Sequence, residues 1–202
     1  MTDADTGGTV VANISLSLDG RVSGPGGDYD MGWVVPHAVT DGARDHMIPV
    51  TKPATTAVLG RKNYEGFAGY WPTVADDVSA DPRDRAFSRW LNDVEKLVFS
   101  STVSDASWTN TRVVDGDPAE VVDRLRREQG GDIIVLASGS VIKALLHADA
   151  IDRLSITLCP EVPGGGARLF DDGLPPMSWR LRDSTITESG AVCVLYDRAR
   201  TI

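Results

Sequence analysis

Three short stretches of this chain combine small residues with cations or hydroxyls in a way that suits a phosphate. Leu59-Gly60-Arg61-Lys62 follows an apolar run and sets two cations beside a glycine. Ala137-Ser138-Gly139-Ser140-Val141, continuing into Ile142, sets two hydroxyls around a glycine. Phe99-Ser100-Ser101-Thr102 ends a third run with three hydroxyls but no obvious helix after it. A helix N-terminus presents unpaired N–H groups and a partial positive charge, and small residues let an anion approach that backbone. Either of the first two turns alone reads equally well as a tight turn or a plain helix start. Three together point to a dinucleotide site. A guanidinium holds phosphate in a planar fork, so Arg61 suits a ribose 2′-phosphate and favours NADPH over NADH.

Other chemistries find no support. No GxGxxG lies between the first strand and a helix. Neither Tyr29 nor Tyr64 has a Lys four residues on, which disfavours a short-chain dehydrogenase. The two cysteines, Cys159 and Cys193, sit in apolar runs and read as buried reduced thiols. With no CxxC or Cys/His cluster, no metal is expected. Zinc deamination is excluded, because no His-x-Glu with Pro-Cys-x-x-Cys occurs.

Single residues carry two readings each. Asp19 either hydrogen-bonds a substrate or nicotinamide amide, or simply shapes an Asp-Gly turn. His37 is a general acid or a residue at a helix start. Asp41 and Asp45 read as solvated helix charges, and His46 and His147 as surface residues. Trp71 and Trp90 read as packing, whereas Trp33 lies at the mouth of the expected pocket.

These residues need elements to hold them. Thr9–Ser17 reads as a strand and Leu18–Gly32, dense in Gly and Asp, as a long loop of functional type. A helix starts near Pro36 and ends before Pro49 or Pro53. Thr55–Leu59 is a strand leading into a helix, Trp71–Asp84 a loop, Arg85–Val94 a helix, and Lys96–Ser100 and Thr111–Val114 strands. Asp117 caps a helix with Pro at its first turn, which Gly130-Gly131 stops. Asp132–Ala137 is a strand of the type buried on both faces. A helix follows to about Leu146, then a strand at Asp152–Leu158 and a Gly-rich loop at Pro160–Phe170. Ser178–Thr187 and Ala191–Asp197 form an antiparallel hairpin. The alternation predicts a three-layer α/β fold with a mostly parallel central sheet and an antiparallel C-terminal hairpin.

Length and charge bound the rest. The 202 residues suit one domain, expected over 9–202, behind a disordered tail at 1–8. The formal net charge of −9 argues against nucleic-acid binding. Met1–Gly8 lacks a signal-peptide pattern, and no apolar run approaches the ~18 residues that span a bilayer. A cytoplasmic protein with no membrane partner is expected.

The motifs also carry a resemblance. Val58-Leu59-Gly60-Arg61-Lys62-Asn63-Tyr64-Glu65, Leu97–Ser101 and Ile134–Ile142 resemble cofactor segments of dihydrofolate reductases. Ser15-Leu16-Ser17-Leu18-Asp19-Gly20-Arg21 and Pro160–Phe170, with Gly164-Gly165-Gly166-Ala167-Arg168-Leu169-Phe170, are more similar to the reductase domain of the riboflavin-biosynthesis deaminase–reductase and its stand-alone bacterial relatives. The resemblance runs from about Val10 to Tyr196. It implies a dihydrofolate reductase-like fold, a homodimer, and NADPH held at Gly60, Arg61, Lys62, Ser100, Ser101 and Ala137–Ile142. It puts nicotinamide near Ala12, Asn13, Asp19 and Val22, and substrate by the loop after Asp19 and Trp33. Asn13 and Arg168 join Trp33 as substrate candidates, and Arg21, Arg44 and Lys52 join Arg168 as candidates for a ribose phosphate. The implied activity is hydride transfer to a C=N or C=C bond of a small heterocyclic or sugar-linked substrate. The alignment puts Ala38 where dihydrofolate reductases carry a carboxylate after Trp-x-x-Pro, here Trp33-Val34-Val35-Pro36. Ala137 replaces a common glycine. Two alternatives stay open: a true dihydrofolate reductase, and a cofactor-binding or regulatory module without turnover.

Overall fold

The computed structural model describes residues 7–102 and 106–200. The predicted tail lies outside them except for Gly7 and Gly8. Gly8 is buried, and a Cβ there would fall 1.7 Å from the Gly131 carbonyl oxygen. Close backbone approach therefore fixes the chain before its first strand.

Eight strands form one sheet: β1 (Val10–Leu16), β2 (Ala54–Gly60), β3 (Glu95–Phe99), β4 (Thr111–Val114), β5 (Asp132–Leu136), β6 (Arg153–Leu158), β7 (Trp179–Ile186) and β8 (Val192–Arg198). Their order is β4-β3-β2-β5-β1-β6-β8-β7. β1 to β6 pair in parallel, and β8 runs antiparallel to both β6 and β7. The helices are α1 (Val35–Ala38), α2 (Asp41–Thr51), α3 (Arg61–Val74), α4 (Pro82–Asp93), α5 (Pro118–Gln129) and α6 (Gly139–His147). The sheet's period of two sends Val10, Ala12, Ile14 and Leu16 to one face, with Val122, Leu125, Ile142 and Leu145 of α5 and α6. Val11, Leu59, Val98 and Leu136 go to the other, with Val50 of α2, Tyr64 of α3 and Leu91 of α4. This is the three-layer architecture expected.

Three expectations need correction. The single helix after Pro36 is two helices, because Thr40 turns extended and its hydroxyl caps α2 by accepting the Ala43 N–H at 3.3 Å. The loop expected over Trp71–Asp84 is confined to 75–81, with helix at both ends. α3 runs through Pro72 because Phe67, Ala68 and Trp71 pack on the core, and Asp81 caps α4 ahead of Pro82. His46 is buried under α2, its Nε2 2.8 Å from the Ser155 hydroxyl, and burial lowers its pKa. Asp41 and Asp45 pair with Arg83, as solvated helix charges can. Cys159 and Cys193 are buried and free, and burial pushes the Cys159 thiol up to about 12.

Two strained or costly features stand out. Ala137, just after β5, has φ +49°. An L-residue there carries about 1–2 kcal/mol of strain that glycine lacks. Lys96 is fully buried, and the nearby Asp93 charge only partly offsets its loss of water. Its ammonium donates to the carbonyls of Leu91 (2.6 Å) and Val94 (2.9 Å) and lies 4.9 Å from the Trp108 ring centroid. It caps the end of α4, where a cation is favoured. Burial nonetheless lowers its pKa to about 8.

Replacing Ala137 by Gly is expected to stabilise the protein by about 0.5–1 kcal/mol in denaturant unfolding. The unfolded Lys96 titrates near the ordinary value of about 10.4. Between about 8 and 10.4 the unfolded chain therefore binds the extra proton. Lys96 contributes fully above that range, and the contribution is lost as pH falls through about 8. The stability of wild type relative to Lys96→Met should accordingly rise by about 2–3 kcal/mol from pH 7.5 to 10.5. A difference that stays flat across that range contradicts the assignment.

Candidate active site

The C-terminal ends of β2, β3, β4 and β5 open into a cleft of about 660 Å³. Parallel strands place their ensuing turns along one edge, which is where ligands bind in such sheets. All three phosphate-type turns meet there. Gly60, Arg61 and Lys62 line the cleft from β2, Ser100 and Ser101 from β3, and Ala137, Gly139, Ser140 and Val141 from β5. Val22, Asp28, Met31, Ala167 and Arg168 face them from two loops.

The helix starts differ in one respect. Thr40, Asp81 and Asp117 cap α2, α4 and α5 with their side chains. Of the three helices that start at the cleft, α5 carries its Asp117 cap, whereas α3 and α6 have no side-chain cap and no acid in their first turn. Ser138 stands where a cap for α6 belongs, but its hydroxyl is used elsewhere. It accepts the Gly60 N–H at 2.8 Å and donates to the Leu136 carbonyl at 2.7 Å. The two turns are thereby fixed side by side, and the first-turn N–H groups of α6 receive nothing from the Ser138 hydroxyl. A Cβ on Gly60 would meet only ordinary contacts at 3.7 Å, and its φ is −80°. Packing does not demand glycine there, so the small residue leaves room on the cleft side.

The facing wall is two loops laced together. Leu18 N–H donates to Glu161 O (2.9 Å), Val22 N–H to Ala167 O (2.8 Å) and Leu169 N–H to Gly20 O (3.1 Å). Gly166 has φ +95°, and a Cβ on it would lie 2.0 Å from Ser23 O. Only glycine fits, which explains the triple-glycine stretch in physical terms.

Of the remaining candidate residues, Arg168 lines the cleft and the others lie elsewhere. Ala12 and Ile142 are fully buried in the core and offer a ligand no side-chain surface. Ser138 is buried and acts as the brace just described. Asp19 shapes its turn: it accepts the Ser17 hydroxyl (2.6 Å) and Arg21 Nε (3.1 Å), and these, Ser17 foremost, hold its carboxyl below the ordinary range. Asn13 donates to the Ser155 hydroxyl at 3.0 Å, beside His46. Trp33 is half-buried, its indole N–H enclosed without a partner among the described residues. Arg168 lines the cleft and is exposed, and its backbone bridges to Arg21. Ala38 is exposed on α1, so the position aligned with the reductase carboxylate holds none. His37 is buried between the Ser189 hydroxyl (2.8 Å) and Glu161 (3.2 Å) and clamps α1 to two loops.

Sequence reasoning missed three cleft residues of consequence. Lys143 lines it one turn into α6, paired with Asp171 at 2.6 Å. Asp28 lines it beside Lys62, and Met31 stands with Val22. The Leu18–Gly32 loop reads as functional from its composition, but no local pattern says which of its acids turns inward. Among the described residues, no group of three or more His, Cys, Asp or Glu could hold a metal. No helix there is long and apolar enough to cross a membrane.

Comparison with known proteins gives this geometry a family. A crystal structure of a candidate riboflavin biosynthesis protein from Shewanella sp. PV-4 matches at TM-score 0.70 and 20% identity, over 95% of this chain and 99% of that one. A diaminohydroxyphosphoribosylaminopyrimidine deaminase/5-amino-6-(5-phosphoribosylamino)uracil reductase from Thermotoga maritima matches at TM-score 0.63 and 13% identity, over 96% of this chain and 57% of that one. Dihydrofolate reductase from Enterococcus faecalis, complexed with NADP(H), matches at TM-score 0.57 and 17% identity, over 95% and 97%. The fold is therefore dihydrofolate reductase-like. The family model described as the RibD C-terminal domain matches residues 8–195. With nearly its whole length inside that match, the chain belongs to the RibD C-terminal domain family.

Proposed function

We propose that this chain is an NADPH-dependent reductase acting on a C=N or C=C bond of a small heterocyclic or sugar-linked substrate, in the manner of 5-amino-6-(5-phosphoribosylamino)uracil reductases. The observation that carries the reading is the pair of uncapped helix starts, α3 and α6, braced together by Ser138 in a cleft that also holds Arg61 and Lys62. Uncapped first turns, two cations and a glycine with room beside it fit a molecule bearing several phosphates. In this reading the α6 turn at Gly139–Val141 takes the pyrophosphate. Arg61 and Lys62, with Ser100 and Ser101, take the 2′-phosphate. Val22, Met31 and Ala167 close the opposite wall and keep water from the reacting end. The family and its reductase-like relatives support the same class.

The bound dinucleotide would supply the hydride, and the protein's part is binding, orientation and electrostatics. Folate reduction draws no support from α1, where Ala38 stands in place of the acid that would anchor a pteridine. A cofactor-binding module without turnover shares every cleft feature, and substrate-dependent oxidation of NADPH separates the two.

Thermal shift on wild type and Arg61→Ala, each with NADPH, NADH or nothing, tests the cofactor site. A nucleotide at 100 times its dissociation constant stabilises by about 2.7 kcal/mol. The expected result is a clear rise with NADPH, a smaller one with NADH, and loss of the difference in Arg61→Ala. No rise with either nucleotide contradicts the reading.

A further inference from the structure

Arg61 and Lys62 are already engaged, one by a carboxylate of its own helix and the other by one from a distant loop. Arg61 donates to Glu65 at 2.8 Å, one helical turn along the same helix. Arg61 and then the Tyr29 hydroxyl, which donates at 2.9 Å, hold the Glu65 carboxyl below its ordinary range. Lys62 pairs instead with Asp28, which arrives from a loop 34 residues earlier. Both Lys62 and Asp28 line the cleft.

That loop is closed on itself. Gly24 N–H donates to Asp30 O (2.8 Å), Gly26 N–H to the Asp30 carboxylate (2.9 Å) and Asp30 N–H to Gly27 O (3.0 Å). Its exposed tip is tied to α3 by the Asp28–Lys62 and Tyr29–Glu65 links. The tip can therefore separate from α3 without unravelling.

A carboxylate offers a lysine the same kind of acceptor as a phosphate, with one charge instead of nearly two. Resting on the cofactor reading above, we propose that Asp28 is a specificity-determining residue. Its carboxylate holds Lys62 in the place of the 2′-phosphate, and that phosphate displaces it and frees the loop tip. The link is about half exposed on both sides, 47% for Lys62 and 50% for Asp28, so it is weak and easily exchanged. A nucleotide with a bare 2′-hydroxyl has no charge to displace it. Asp28 thus penalises the phosphorylated cofactor alone, and its removal sharpens the preference for it.

The test is titration calorimetry with 2′,5′-ADP and 5′-AMP as probes. The proteins are wild type, Asp28→Asn, Lys62→Met and the double variant. Asp28→Asn is expected to bind 2′,5′-ADP about three- to fivefold more tightly, the upper part of the range of an exposed ion pair, with 5′-AMP unchanged. The gain should vanish in the Lys62→Met background. Equal gains for both probes, or a gain that persists without Lys62, overturns the proposal. If wild type prefers 2′,5′-ADP but Asp28→Asn changes nothing, the proposal fails and the cofactor reading stands. If wild type shows no preference for 2′,5′-ADP, the cofactor reading fails and takes the proposal with it.

Discussion

The Ser138 hydroxyl sits at the physical centre of this molecule's candidate function. It spans from the Gly60 N–H to the Leu136 carbonyl, joining the ends of β2 and β5. A serine at a helix start ordinarily caps its own helix. Here it braces the neighbouring turn, and α6 begins without a side-chain cap. The neighbouring α3 begins the same way, behind a glycine that packing does not require. Two helix dipoles then converge on one cleft with no acid in either first turn to neutralise them. α2, α4 and α5 are instead capped by the side chains of Thr40, Asp81 and Asp117.

The second constraint is the lacing of the two loops that form the opposite wall. Gly166 lies so close to Ser23 O that no side chain fits, and the Arg21–Arg168 bridge and the Val22 and Leu169 hydrogen bonds keep the loops in register. The cleft is consequently rigid along its laced wall. At its far rim, exposed polar links tie the 24–30 tip to α3, while Gly24 and Pro25 lie close against Gly166 and Gly165.

Much of this was legible in the sequence, for physical reasons. Ile133–Ala137 is apolar throughout because β5 is covered on both faces, and Asp117-Pro118 carries its own cap, so both elements could be read locally. The three phosphate-type turns share one sheet edge because parallel strands must end together. The split of α1 from α2 turned on a single threonine, and α3 passed through Pro72 because tertiary packing of Phe67 and Trp71 outweighs a local breaker. The buried state of His46 and Lys96 depends on Ser155 and on carbonyls at the end of α4, partners that only the fold supplies. Ser138 was legible as part of the site but not as its brace. Its partner Gly60 lies 78 residues away, and no periodicity reports a hydrogen bond across that distance.

The most direct test of the account is a crystal structure of the wild-type protein with NADPH. The account predicts the pyrophosphate against the backbone N–H groups at Gly139–Val141 and the 2′-phosphate within hydrogen-bonding distance of Arg61 and Lys62. A dinucleotide bound away from the starts of α3 and α6 would contradict it. So would phosphates held by side chains alone, with those backbone groups left to solvent.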